Sequence, residues 1–280
     1  MDDPQKSDEP ESPDPWSLVE TEDGSPTLFH GGVGQACHSR AGAWREARET
    51  YAGGAQLRER ALEGGLSRCR LLDVATGLGW NLAAALEALD GTGCTLEAVA
   101  LESDARVLRR AVALARREPT VRVYPWWGLV ADAVERALEQ PDSALPVALG
   151  DGGSSLRLVL GDGRVTLERL IAREPELAFD TVFLDPFSPS ADPSLWEWGF
   201  LDRIASCMAP GSLLVTYCAA SRVRLGLALA GLRVGRGPGT GKKAEGTLAS
   251  PDAAVPPLPA RAAANLARAL AEHGSGEPGA

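Results

Sequence analysis

A chain with three histidines, two methionines and five scattered cysteines has little to offer metal or redox chemistry. Cys37, Cys69, Cys94, Cys207 and Cys218 form no C-x-x-C pair and have few histidines near them. They fit neither a zinc site nor a disulfide framework, and read as reduced thiols in apolar surroundings. No apolar run reaches the roughly 20 residues needed to cross a bilayer. The amino terminus is acidic and proline-containing, the opposite of a secretory leader, so the expectation is a soluble cytoplasmic protein. An excess of cations is also missing, since the formal net charge is −10. That charge is localised: residues 1–24 hold nine acids against Lys6, which leaves the rest of the chain near −2 and able to carry a local basic face. The tail is too polar to bury a core and is expected to be disordered up to about residue 24.

What is present begins with Arg70-Leu71-Leu72-Asp73-Val74-Ala75-Thr76-Gly77-Leu78-Gly79-Trp80-Asn81-Leu82. An apolar strand runs into a glycine turn, and an alanine- and leucine-rich helix over 81–89 follows. That order builds the nucleotide-binding corner of an open parallel sheet, where a ligand sits beyond the carboxyl end of the first strand. Gly77 and Gly79 permit positive φ and close backbone approach, and the amides of the helix start face the ligand. The spacing is not the dinucleotide fingerprint G-x-G-x-x-G. It is closer to the E/D-x-G-x-G-x-G of S-adenosylmethionine (SAM) methyltransferases, with Ala75 at the first glycine.

The remaining elements fit a doubly wound α/β sheet with helices on both faces. After a turn-rich stretch from Gly31, Ser39 is a plausible N-cap for a helix over 41–50, and a second helix covers 55–63. Strands are expected at 96–102, 156–160, 179–184, 212–217, 232–234 and 246–250, which with the first makes seven, and the last two form an antiparallel hairpin. Helices are expected at 104–117, 129–138, 165–171, 193–208 and 219–229. Residues 251–280 read as a flexible Pro- and Ala-rich tail with one helix near 260–272, leaving 25–250 as the single domain.

Three strands end in an acid. Glu102, closing the second strand, stands where such folds hold a ribose, because one carboxylate accepts from both hydroxyls; the alternative is a solvated strand-end acid. Asp162 can accept from an adenine amino group or simply cap the helix that it precedes. Asp185, in Phe183-Leu184-Asp185-Pro186-Phe187-Ser188-Pro189, emerges where the reactive end of a ligand belongs, in a segment stiffened by two prolines; a helix cap is its alternative role. The doublet Trp126-Trp127 reads as core filler or as site lining.

Several of these stretches together resemble the methyltransferase component of the MnmC family, which acts on the tRNA wobble uridine. They are His38-Ser39-Arg40-Ala41-Gly42-Ala43-Trp44-Arg45-Glu46-Ala47, the glycine loop with its Gly-x-Gly-x-Asn, Asp185-Pro186-Phe187-Ser188-Pro189 with Asp192-Pro193-Ser194-Leu195-Trp196, and Gly241-Lys242-Lys243-Ala244-Glu245-Gly246-Thr247. The resemblance covers about residues 27–250. It implies a class I SAM methyltransferase of the stand-alone type, lacking the flavin-dependent oxidase, that methylates the primary amine of 5-aminomethyl-(2-thio)uridine in tRNA. The cofactor ligands it implies are Asp73, Thr76, Gly77, Gly79, Asn81, Glu102, Asp162 and Asp185, with Asp185 also catalytic. For the RNA it implies His38, Phe187, Arg222, Arg236, Lys242 and Lys243, with Arg224 and Arg233 as further candidates; Ala244 and Glu245 dilute the basic run. Rival readings are a SAM methyltransferase acting on another amine or RNA position, an aminopropyl transferase, and a SAM- or tRNA-binding protein without catalysis.

Overall fold

The computed structural model of the chain describes residues 14–63, 65–117, 120–140, 145–239 and 245–274. Its centre is an eight-stranded sheet in the order β10-β11-β9-β8-β4-β5-β7-β6. The strands are β4 (Arg68–Val74), β5 (Thr95–Glu102), β6 (Val147–Ala148), β7 (Ser155–Leu160), β8 (Phe179–Leu184), β9 (Met208–Thr216), β10 (Arg233–Gly237) and β11 (Gly246–Ser250). β4 pairs in parallel with both β5 and β8, and so is covered on each side. Leu71, Leu72, Asp73 and Val74 are fully buried, as expected of a central parallel strand with helices on both faces.

The helices are α1 (Ala43–Glu46), α2 (Leu57–Glu63), α3 (Trp80–Leu89), α4 (Ala105–Ala115), α5 (Thr120–Val123), α6 (Pro125–Glu139), α7 (Gly163–Arg173), α8 (Trp198–Ser206), α9 (Ser221–Leu229) and α10 (Ala260–Gly274). From β4 the chain steps outward through α3 to β5 and through α4 and α6 to β7. It then returns through α7 to β8 and leaves the other way through α8 to β9. Right-handed crossovers in opposite directions put the two helix sets on opposite faces. The reversal lies between β4 and β8, so the crevice of the fold opens beyond the carboxyl ends of those two strands.

The observed sheet has eight strands where the sequence predicts seven. The addition is the two-residue edge strand β6, antiparallel to β7, too short to register as an apolar run.

A larger difference lies at the amino terminus. The expected disordered tail folds from Trp16 onward: β1 (Trp16–Glu20) pairs antiparallel with β2 (Pro26–His30), and β2 pairs with β3 (Gln35–Ala36). One of the acids that made this stretch look solvated is taken up by backbone and hydroxyl donors, one of them distant in sequence. Asp23 accepts from the amides of Ser25 (3.0 Å) and Arg45 (2.9 Å) and from the Thr21 hydroxyl (2.7 Å). The Ser25 hydroxyl oxygen in turn accepts from the amides of Ala43 (2.9 Å) and Trp44 (3.0 Å), satisfying the first turn of α1. Ser39 is therefore not the N-cap of that helix. Gly42 is, at φ 150°, where a Cβ would collide with the Asp23 carboxyl group.

At the other end, α10 packs along α9 and brings His273 edge-on to Trp198, ring centroids 5.3 Å apart. No helix among the described residues is long and apolar enough to cross a membrane. All five cysteines are free, four of them buried.

Candidate active site

The glycine turn after β4 owes its shape to what lies beneath it. Gly77 and Gly79 have φ of 55° and 78°, and Ala75 between strand and turn also takes a positive φ of 63°. A Cβ on Gly79 would come within 2.9 Å of Val130 in α6, so only glycine lets the turn sit down on that helix. Trp127, from the same helix, donates its indole N–H to the Leu78 carbonyl (2.7 Å) and stacks on Trp80 at 3.9 Å. Trp127 is thus buried support for the turn, and neither tryptophan of the doublet lines the crevice.

Above the turn lies a cavity of about 250 Å³ whose wall includes Cys37, His38, Gly77, Glu102, Asp185 and Phe187. Glu102, at the end of β5, is buried. One carboxyl oxygen accepts from the Gly77 amide (2.8 Å), and the other accepts from the amides of Ser103 (2.7 Å) and Asp104 (2.9 Å). Burial pushes its pKa up, while the backbone donors hold it down. Asp185, one residue past β8, accepts from the Asn81 side-chain amide at 2.9 Å. Burial first, and then the charge of Glu46 on α1, push Asp185 well above the usual carboxylate range; the Tyr51 and Asn81 side chains act against this. Asp73 is fully buried in β4 with no hydrogen-bond partner on either carboxyl oxygen, and burial raises it to about 7. His38 is buried with Nδ1 2.9 Å from the Thr27 hydroxyl, and burial lowers it to about 4, so the ring is neutral.

The site is therefore a bowl with four carboxyl groups on its wall, Glu102, Asp104, Asp185 and Asp192, among apolar side chains. No lysine or arginine among the described residues lines it. Such a bowl suits a ligand with positive charge and hydroxyls to donate.

The structure puts Thr76, Gly77, Glu102, Asp185, His38 and Phe187 on the wall of one crevice, whereas Asp73, Gly79 and Asn81 are off that wall, Asn81 reaching it through Asp185. It leaves Asp162 outside the cavity wall. That carboxylate caps α7, accepting from the Arg164 amide (2.9 Å) and pairing with its guanidinium (2.7 Å). Of the basic candidates, Arg222 is exposed with its guanidinium 4.9 Å above the Trp198 ring. Arg236 is exposed beside Glu245 (3.5 Å), and Arg233 donates to the Asp252 carbonyl at 2.5 Å. Arg224 is a correction: it is buried and braces β11 through Thr247 (3.0 Å), Glu245 (3.0 Å) and the Gly246 carbonyl (2.9 Å), so it cannot offer its charge to RNA. Lys242 and Lys243 lie outside the described residues.

Sequence reasoning missed Trp16, His30 and Asp104 on the cavity wall and Glu46 behind Asp185. Asp23-Gly24 between two β-rich runs was a usable hairpin signal for the first two.

Known proteins are similar to the chain in sequence and in fold. A family model for S-adenosyl-L-methionine-dependent methyltransferases matches residues 127–252. The bifunctional tRNA 5-methylaminomethyl-2-thiouridine biosynthesis protein MnmC of Paracidovorax citrulli is 31% identical over 248 residues, which are 85% of this chain and 35% of that protein. Its counterpart in Methylibium petroleiphilum is 31% identical over 235 residues, 84% of this chain and 34% of that protein. The chain thus spans about a third of the length of these curated relatives. The crystal structure of MNMC2 from Aquifex aeolicus is 30% identical, covers 92% of this chain and 77% of its own, and superposes with a TM-score of 0.71.

Proposed function

Because the chain belongs to the MnmC family of SAM-dependent methyltransferases, we propose that it methylates the primary amine of 5-aminomethyl-(2-thio)uridine at the tRNA wobble position. The observation that carries the reading is Asp185, a half-buried carboxyl group held by Asn81 at the crevice between β4 and β8. Removal from water, and then the charge of Glu46, raise its appetite for a proton.

SAM fits the site on the chain's own features. A Cβ on Gly77 would meet nothing closer than 3.9 Å and would project into open space at the cavity wall. Asp73 does not reach the cavity wall, so its buried carboxyl group would act on a cationic ligand through charge alone. Thr76, Gly77, Gly79 and Asn81 would hold SAM from the turn, with Asp73 beneath and Glu102 on the ribose. When bound, SAM supplies an electrophilic methyl group on a positively charged sulfur.

The acceptor presents the opposite difficulty, because an alkylammonium has no lone pair and must give up a proton before it can attack. Positive charge entering the bowl favours the ionised form of Asp185. The ionised carboxylate, steadied by Asn81, orients the ammonium and accepts its proton directly or through water. A carboxyl of ordinary affinity would be a poor match for an amine; the burial of Asp185 and the charge of Glu46 narrow that gap. Neutral His38 adds no competing positive charge. Phe187 faces the acceptor, and Arg222, Arg236, Lys242 and Lys243 contribute phosphate contacts that position the tRNA. A tRNA substrate is compatible with the cytoplasmic location expected from the sequence.

The test is incubation of the purified chain with SAM and tRNA bearing 5-aminomethyluridine, followed by nucleoside mass spectrometry. Gain of one methyl group on that nucleoside is expected. An unmodified wobble nucleoside, with methyl transfer to a different RNA position or to a small amine, would replace this reading with the rival.

A further inference from the structure

We propose that Trp16, His30 and Phe187 form the slot that takes the nucleobase of the methyl acceptor, an assignment that rests on the tRNA reading above. The three rings come from β1, β2 and the segment after β8, and all three line the cavity. Trp16 and Phe187 lie within 24° of parallel with centroids 6.2 Å apart. His30 stands edge-on to both, at 4.6 Å from Trp16 and 6.0 Å from Phe187. The group is pre-set. The Trp16 indole N–H donates to Asp104 at 2.9 Å, and Trp16 and His30 face each other across the β1–β2 ladder. The ladder itself is tied to the body by the Trp80 indole N–H on the Pro26 carbonyl (3.0 Å) and by the Ser188 hydroxyl on Gln35 (2.9 Å).

Elsewhere the wall carries four carboxyl groups, those of Glu102, Asp104, Asp185 and Asp192, which suit a charged donor and its ribose. Flat apolar faces suit something else. Bases splayed out of a single-stranded loop are held by stacking on aromatic rings. Phe187 follows Asp185 by two residues, so the slot adjoins the group that takes the amine proton. His30 Nδ1 accepts from the Val33 amide at 3.0 Å, which leaves Nε2 as the ring's N–H donor, a match for a uracil carbonyl.

Two experiments decide the matter. The first compares W16L and W16F with wild type, using an anticodon stem–loop carrying 5-aminomethyluridine as substrate and sinefungin as a non-transferable donor analogue. W16L should raise the KM for the stem–loop about 10- to 100-fold, the usual worth of one stacked base. Its kcat at saturation and its sinefungin affinity should stay within about twofold, and W16F should restore most of the loss because it keeps a ring. Weaker sinefungin binding with an unchanged stem–loop KM would give the ring to the donor's adenine and overturn the proposal. No change in either constant would reduce the cluster to packing and overturn it as well. The second experiment needs no variant, and so decides even if W16L fails to fold. A stem–loop with 5-iodouridine at the target position is irradiated with wild-type protein, and the crosslinked peptides are sequenced. Crosslinks to Trp16, His30 or Phe187 are expected, and crosslinks confined to other peptides refute the slot. A wild-type chain that methylates no stem–loop sinks the proposed function and this assignment together, whereas a functional chain with an indifferent W16L sinks this assignment alone.

Discussion

Replacing Asp73 by asparagine should make the ligand-free protein more stable and the enzyme worse. Asp73 is fully buried, neither carboxyl oxygen is hydrogen-bonded, and burial lifts its pKa from 3.8 to about 7. A raised folded-state value means that the folded chain keeps a proton which the unfolded chain has released above about pH 4. This contribution to stability is complete below that pH and is lost as the pH rises through about 7. Three units at ~1.4 kcal/mol each amount to ~4 kcal/mol. His38 works in the opposite sense. Its pKa falls from 6.5 to about 4, so the stability it contributes is present above pH 6.5 and is lost as the pH falls through about 4, by ~3 kcal/mol in all. Across pH 4 to 6.5 the two nearly cancel, so the wild-type profile conceals both. Asparagine keeps the size of the side chain and cannot ionise. D73N should therefore match wild type in urea unfolding near pH 4 and exceed it by up to ~4 kcal/mol at pH 8. Calorimetry at pH 8 should show sinefungin binding weakened by about tenfold, the loss of one buried charge acting on a cationic ligand. A D73N protein no more stable at pH 8 than at pH 4, each measured against wild type, would refute the claim that this carboxyl group is held under strain for a ligand.

Other substitutions separate the roles in the site. D185N should retain sinefungin binding within about threefold while losing methylation by about 100-fold or more, read as kcat with a synthetic stem–loop; near wild-type turnover removes Asp185 from the mechanism. D162A should cost ~1 kcal/mol of stability as a lost helix cap and leave sinefungin affinity unchanged, whereas a large loss of affinity would return Asp162 to the adenine. G77A should fold, with ~1 kcal/mol lost to its left-handed φ, and bind the donor analogue poorly because its methyl group projects at the cavity wall. G79A should be the less stable of the two in thermal melts, since its methyl group meets Val130. Affinity for tRNA should fall steeply with salt, and R222Q should lower the log–log slope by about one; a slope that stays the same removes Arg222 from the phosphate contacts.

Much of this protein was written locally. The strand that ends at Val74, the two glycines, the acid closing β5 and the acid after β8 each announced themselves by apolar runs that stop at a turn. Backbone conformation and burial pattern are short-range consequences of residue type, so these positions were readable one at a time. The readings that failed share a cause. Residues 16–24 looked too acidic to fold, because nothing nearby in sequence says that Asp23 will meet the amide of Arg45. Arg224 looked like a surface cation, because its partners at 245–247 are twenty residues away. From sequence Asp162 reads as an adenine ligand with a helix cap as the alternative, and the structure has its oxygens capping α7 and paired with Arg164.

By itself, then, the sequence determined the architecture and the positions along the chain where chemistry could occur, since periodicity and turn chemistry are properties of neighbours. Only the tertiary structure decided what those positions face. It stacked Trp127 beneath the turn, set the charge of Glu46 against Asp185, stripped Asp73 of partners and folded Trp16 over the cavity. Proton affinity and ligand fit depend on burial and on charges brought together from distant segments, and those distances exist only once the chain has closed on itself.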